Sequence, residues 1–425
     1  MKSELNKTHR TKMDNKGRIK IDQELTSNYG IKSNVNIPLE ERETGIFLPL
    51  PTRLLKLYIE PTNKCNLGCR TCIRNIWKEP MGMMSESVFQ HVLDGLVKFS
   101  HTPTVFFGGF GEPLYHPKIA EMVSRVKALG SQVELITNGT LLTDELSRNL
   151  IKAGLDILWV SIDGASPDSF SDIRLGATLP KILENVANFS NILKNDMVIN
   201  QCGAIPNAKT ELGIAFVAMK RNISDLPAVI KLAQKFGAYH FLVTNVLPYT
   251  KEMCDEILYK NTLHEPPYPE PKPRVSIPLM DVTESTSNSL NWLMNYGSSV
   301  KIADMNLTNA RNRCPFIENG VEAIGWDGGF SPCLSLMHDH SSYYKGRERY
   351  SRRWVVGNIK DQSLKDLWNN PEHIAFRERV RKFDFAPCIY CGGCELADTN
   401  ESDCHGYEFP TCGGCLWAQG VIQCP

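Results

Sequence analysis

The chain has 425 residues, of which 47 are Lys or Arg and 47 are Asp or Glu, so its formal net charge is zero. That balance leaves no electrostatic footprint for nucleic acid or an acidic membrane surface, and 42% apolar residues fit an ordinary globular chain with one large core and small satellites. Cysteine is the exception: there are 14, nine of them between Cys314 and Cys424.

Residues 1–50 read as a small N-terminal β cap. The polar stretch Asp14-Asn15-Lys16-Gly17 precedes alternation at Ile19 and Ile21, as in a hairpin, and residues 44–48 form a second strand. From 51 to 250 the pattern is strand then helix, repeated six times. Strands are expected near 54–60, 105–107, 133–137, 156–163, 213–219 and 239–245. Ser85 and Thr143 are N-caps, and Gly130 ends the helix begun at Ile119. Six such units imply a parallel sheet with right-handed crossovers, an α/β fold forming a partial (β/α)6 TIM-type barrel open on one side. Residues 251–305 form a linker and helix, with the proline run of 265–273 excluding regular structure there. Residues 306–425 are the cysteine-rich domain. The polar start of the chain lacks the apolar stretch of an export signal, and no run of 18 apolar residues suits a membrane span. A reducing cytoplasm and metal ligation are therefore expected, rather than disulfides.

The stretch after the first strand is Cys65-Asn66-Leu67-Gly68-Cys69-Arg70-Thr71-Cys72. Three thiolates can hold three irons of a [4Fe–4S] cluster and leave the fourth without a protein ligand, whereas ferredoxin-type clusters use four cysteines. An incomplete zinc site is the alternative, although structural zinc takes four ligands. Further motifs fall where a parallel barrel keeps its active residues, after the C-terminal strand ends. They are Gly108-Gly109-Phe110-Gly111-Glu112-Pro113, Asn138-Gly139 and Ser161-Ile162-Asp163-Gly164, with Arg174 beyond. Read blandly, Glu112 caps a helix, Arg174 pairs with Asp168 or Asp172 at the surface, and Asp163 orients a loop.

Taken together these motifs resemble those of radical S-adenosylmethionine (SAM) enzymes. The resemblance implies that Cys65, Cys69 and Cys72 ligate a [4Fe–4S] cluster whose fourth iron is chelated by SAM. Gly109, Gly111 and Glu112 would meet the methionine amino group, and Asn138 would lie near the sugar. Ser161 and Arg174 would bind ribose and carboxylate, the latter through an Arg fork. The residue before the third cysteine is usually aromatic in that family. Here it is Thr71, so adenine is expected to be covered differently, by residues such as Val217 and Ala218.

Cys314 and Cys333 flank an expected hairpin with Asp327-Gly328-Gly329 as its turn. With Gly357-Asn358-Ile359 and Leu364-Lys365-Asp366-Leu367-Trp368, this resembles the SPASM extension, which implies two auxiliary [4Fe–4S] clusters. The tail, Cys388, Cys391, Cys394, Cys404, Cys412, Cys415 and Cys424, departs from the family spacing. Together with Cys314 and Cys333 it offers nine thiols where two clusters need eight, so one is spare, structural or substrate-facing. Zinc in this tail stays open, since paired cysteines do not distinguish the metals.

The stretches 107–114, 134–142 and 415–425 resemble maturases of tungsten-containing, pterin-dependent aldehyde oxidoreductases. The function implied is reductive cleavage of SAM to a 5′-deoxyadenosyl radical that takes hydrogen from a substrate, in service of a tungsten oxidoreductase or its cofactor. A protein or peptide substrate and a ferredoxin or flavodoxin reductant are the implied partners. A SPASM enzyme that crosslinks peptides is the second reading, and a non-catalytic iron–sulfur carrier or scaffold the third. The N-terminal hairpin resembles half of the swapped-hairpin barrel of AbrB-like proteins. That family often binds DNA, but no basic stripe accompanies the hairpin here, and a β cap on the core is the simpler expectation.

Overall fold

Six short strands frame the molecule, the first five with buried apolar residues. They are β1 (Lys56–Ile59), β2 (Thr104–Phe107), β3 (Val133–Thr137), β4 (Ile157–Ser161), β5 (Glu211–Ala218) and β6 (His240–Asn245), seen in a computed structural model. Each runs parallel to the next, with Ile59 opposite Phe107, Phe107 opposite Leu135 and Ser161 opposite Ala215. The residues described are 11–23, 26, 40–42, 45–47, 53–195, 197–200, 203–206, 210–260, 275–278, 280–281, 283–294, 300–302, 305–306, 312–389 and 394–425. The proline run of 265–273 and Cys391 lie outside them.

Strand alternation sorts the sheet into two faces. Leu57 and Ile59 join the core under the helices, while Tyr58 joins a second core on the inner face with Phe106 and Trp159. The helices are α1 (Glu86–Leu96), α2 (Ile119–Ala128), α3 (Asp144–Lys152), α4 (Pro167–Ile173), α5 (Leu179–Asn195) and α6 (Leu226–Lys235). Ser85 accepts from the Val88 N–H and Thr143 from the Leu146 N–H, satisfying donors that a helix start leaves open. Helix α4 was not foreseen; Ser166 starts it with a reciprocal cap to Ser169.

The sheet does not stop at β1. Strand β7 (Val321–Ile324) pairs parallel with it, Val321 opposite Lys56, and β8 (Gly329–Ser331) continues antiparallel. A pair of residues in β11 (Gly357–Asn358) completes nine strands, after the separate hairpin β9 (His340–Tyr344) and β10 (Arg347–Ser351). The expected turn at 327–329 is present, with Gly328 at φ +88° and the Gly329 N–H donating to Asp327 Oδ1 at 3.0 Å. Gly320 has to be glycine: its φ is +58°, and a Cβ there would stand 1.9 Å from Arg53 O, where the strand docks. The cysteine-rich region is thus built onto the barrel sheet, sharing its hydrogen bonds and not only linked to it in sequence.

At the N-terminus Met13 bridges Ile19 across the expected turn, and Glu40–Arg42 pairs with Gly45–Phe47. The stretch read as a linker holds a helix, Glu284–Met294, and three short paired strands. Among the described residues no helix is long and apolar enough to cross a membrane.

Candidate active site and cysteine-lined cavity

The loop 65–72 leaves β1 and is tied down on two sides. The Gly68 and Arg70 N–H groups donate to Leu175 O (3.2 Å) and Ile173 O (3.0 Å) in the segment after β4. Arg70 adds an ion pair with Asp172 at 3.1 Å, and Asn75 Nδ2 donates to Cys69 O at 2.7 Å. From the other side Asn138, just past β3, donates through Nδ2 to Cys65 Sγ (3.6 Å) and Asn66 Oδ1 (3.1 Å). Burial pushes the Cys65 and Cys69 thiols up; the Leu67 N–H and Arg74 oppose this at Cys65, and Arg174 opposes it at Cys69.

The remaining rim residues converge beside that loop. The Glu112 N–H donates to Lys64 O at 2.8 Å, and a Cβ on Gly111 would stand 1.9 Å from Thr62 O, so the turn after β2 lies directly against the strand leading to Cys65. The Glu112 carboxylate is buried and accepts from Leu114 N–H (3.1 Å), Thr137 Oγ1 (2.7 Å) and Asn138 N–H (2.7 Å). Burial pushes it up nonetheless. It therefore caps a short helix, as the bland reading had it, and also ties the ends of β2 and β3 together. Arg174 does not pair with Asp168 or Asp172. It pairs with Asp163 at 2.6 Å, and Asp163, wholly buried, also accepts from Val217 N–H at 2.8 Å. Burial works against the Arg174 charge, but Asp163, Cys69 and Cys65 more than restore it. Ser161, half-buried, ends β4, and Gly109 sits at φ +148° against Glu60. Val217 and Ala218 are the last two residues of β5; Ala218 is buried, Val217 half-buried.

A charged triad beside this rim had no signal in the sequence. His338 donates from Nε2 to Glu60 (3.1 Å) and from Nδ1 to Glu79 (2.5 Å). Glu60 also accepts the Phe110 N–H at 3.0 Å, and Trp77 and Phe110 flank the imidazole at 4.3 and 5.6 Å. Burial opposes its charge, but the two carboxylates hold His338 up at about 9. The triad joins the end of β1, the segment that follows the cysteine loop and the segment after Cys333, and holds the glycine-rich turn through the Phe110 N–H.

The C-terminal cysteines sort into groups. Cys314, Cys333, Cys412 and Cys415 line one cavity of about 1200 Å³ including its mouth, with Cys388 on its wall. Burial pushes Cys314 up to about 12 and raises Cys333, Cys412 and Cys415. Cys388 faces Cys404 and Cys394, which are exposed. Cys424 stands apart from both groups. It is half-buried near Lys56 and Trp417 on the inner face of the barrel, and desolvation pushes its thiol up to about 11. Val421 O accepts from Asn245 Nδ2 (3.0 Å) and Pro425 O from Lys56 Nζ (2.9 Å) and the Tyr58 hydroxyl, so residues 421–425 lie along β6 and β1.

Among the described residues no group of three His, Cys, Asp or Glu is drawn tightly enough for a single metal ion. Thiolates around an iron–sulfur cube stand farther apart than around one ion, so both the three-thiol loop beside Arg74 and Arg174 and the four-thiol cavity fit clusters by their donor chemistry.

Residues 59–208 match the radical SAM superfamily, and residues 314–395 match the SPASM iron–sulfur cluster-binding domain. A tungsten-containing aldehyde ferredoxin oxidoreductase cofactor-modifying protein of Pyrococcus furiosus is 30% identical over 372 residues, 87% of this chain and 96% of that one. The chain belongs to the radical SAM superfamily. It is a radical SAM enzyme with a SPASM domain, and its likeness to that cofactor-modifying protein runs through both parts. An AdoMet-dependent heme synthase of Nitratidesulfovibrio vulgaris is 22% identical, over 83% of this chain and 90% of that one. The radical SAM fold is shared with Streptococcus suis SuiB bound to S-adenosylmethionine, at a TM-score of 0.51 and 14% identity over 80% of this chain and 70% of that one. Native anSMEcpe with bound AdoMet gives 0.50 and 17%, over 81% and 87%.

Proposed function

We propose that this enzyme reductively cleaves SAM and uses the resulting radical to modify the cofactor of a tungsten–pterin aldehyde oxidoreductase, or that oxidoreductase itself. The observation that carries the reading is the tying of the three-cysteine loop, by Asn138 on one side and Arg70 on the other, to the rim that also carries Glu112 and the Arg174–Asp163 pair. The name of the Pyrococcus relative supports the substrate class.

In this reading Cys65, Cys69 and Cys72 hold a [4Fe–4S] cluster, which when bound supplies one electron and an open iron to SAM. Asn138 steadies Cys65 by its Sγ hydrogen bond. Arg174, kept charged and oriented by Asp163, offers its remaining N–H groups to the SAM carboxylate and balances thiolate charge. Gly109, Gly111 and Glu112 present backbone to the methionine amino group, with no Cβ in the way at the glycines, and Ser161 offers its hydroxyl to the ribose. The fully satisfied Glu112 carboxylate acts as a brace for that loop.

Two auxiliary clusters complete the set. Cys314, Cys333, Cys412 and Cys415 hold the first, and Cys388, Cys391, Cys394 and Cys404 the second. Cys424 ligates neither and is the spare thiol. A ferredoxin or flavodoxin supplies electrons, in a cytoplasm that keeps thiols reduced.

The test is to give anaerobically reconstituted enzyme SAM, reductant and tungsten–pterin cofactor released from an aldehyde oxidoreductase, and to follow cofactor mass and 5′-deoxyadenosine together. A mass change matched by 5′-deoxyadenosine supports the reading. If 5′-deoxyadenosine forms but neither the cofactor nor the oxidoreductase is altered, the substrate is wrong while the SAM chemistry stands.

A further inference from the structure

The cation Arg349 occupies a place that the SAM chemistry does not explain. It sits on β10, opposite Ser342 of β9, and sends its guanidinium into the cysteine-lined cavity. It shares that cavity with Cys388, Cys412 and Cys415, all close enough for their charge to act on it. It rests on Gly414, the residue before Cys415, where a Cβ would stand 2.6 Å from the guanidinium carbon. The bare backbone of Gly414 thus lets the guanidinium lie directly against the chain beside Cys415.

The polar partners of Arg349 do not neutralise it. Its Nη1 donates to Ala397 O at 2.6 Å, a carbonyl. Asp398, the nearby carboxylate, is engaged by Arg347 at 2.7 Å. A guanidinium drawn out of bulk water needs compensating negative charge, and an unpaired one is costly. The groups it faces that become negative are the thiolates of Cys388, Cys412 and Cys415 when they ligate metal. A guanidinium cannot give up its proton at workable pH, so its charge is permanent.

We propose that Arg349 is a tuning residue shared by the two auxiliary clusters, its fixed positive charge raising the reduction potential of both. This rests on the assignment of two auxiliary clusters made above. Net charge and hydrogen bonding near the thiolate sulfurs set such potentials. Reduction adds one negative charge to a cluster, and a cation beside its thiolates stabilises the reduced form more than the oxidised one.

The experiment is a potentiometric titration of the full reconstituted chain, followed by electron paramagnetic resonance, for wild type, R349K, R349Q and R349M. Iron is counted for each. For R349Q and R349M the expected result is a fall of about tenfold in the ratio of reduced to oxidised auxiliary cluster at fixed potential, about 59 mV for a one-electron couple. Both auxiliary signals should move while the SAM-binding signal stays in place, and R349K should stay near wild type. R349Q keeps a donor for Ala397, so a wild-type titration from it would show that the hydrogen bond matters and not the charge, overturning the proposal. A shift in one auxiliary signal alone, or in neither, also overturns it. A wild-type iron count near four per chain would remove the clusters themselves, a failure distinct from twelve irons with unmoved potentials.

Discussion

Replacing His338 by glutamine tests the joint between the SPASM part and the barrel. His338 is held at about 9 by Glu60 and Glu79, against an ordinary value near 6.5. At 1.36 kcal/mol per pKa step, that rise is worth about 3 kcal/mol of folding stability. A buried charge left without its partner costs about the same, roughly 3–5 kcal/mol, and here the group left behind is Glu60, 1% exposed. The folded-state value lies above the unfolded one, so the contribution is fully present below about pH 6.5 and is lost as pH rises through about 9. For 425 residues the unfolding entropy is about 0.9 kcal/mol/K, so H338Q should melt about 3 °C below wild type at pH 6. The gap should close by pH 10. The assay is scanning calorimetry of reconstituted protein at one scan rate. Arg353 and His340, whose charges also bear on this triad, are present in both proteins. Equal melting at pH 6, or a gap that persists unchanged at pH 10, would refute the reasoning.

Replacing Arg174 by methionine strands Asp163, which is 0% exposed, and should cost about 3–5 kcal/mol; SAM binding followed by equilibrium dialysis should fall with it, whereas D163N should weaken binding less. Gly111→Ala puts a Cβ against Thr62 O and should lower iron retention at the SAM-binding loop, read as loss of about four irons per chain. Cys424→Ser should leave total iron unchanged, whereas Cys412→Ser should cost about four irons per chain or convert one cluster to a three-iron signal. Loss of iron from C424S would return that thiol to the ligand set.

The barrel was readable because its signals are local. Ser85, Thr143 and Gly130 punctuate the helices, and apolar runs such as Val105-Phe106-Phe107 mark the strands. The three-cysteine loop was readable because its ligands share eight residues. What escaped depends on contacts between distant segments. Strand β7 looks like one arm of a hairpin, and nothing in its composition says that its other edge pairs with β1. Glu60, Glu79 and His338 have no spacing to detect, since the fold alone brings them together. Cys424 is one of nine thiols that the spacing leaves undivided, yet residues 421–425 run along the barrel strands and place its thiol near Lys56. Resemblance marks Arg174, but nothing in the sequence shows that Asp163 is the other half of a buried pair.

The most direct test of the account is the yield of 5′-deoxyadenosine from SAM under reducing, anaerobic conditions, for wild type and Cys69→Ala reconstituted side by side. The account predicts 5′-deoxyadenosine from wild type and none above background from C69A, with the variant short by about four irons. Iron-replete wild type that forms none, or a C69A variant that forms as much as wild type, would contradict it.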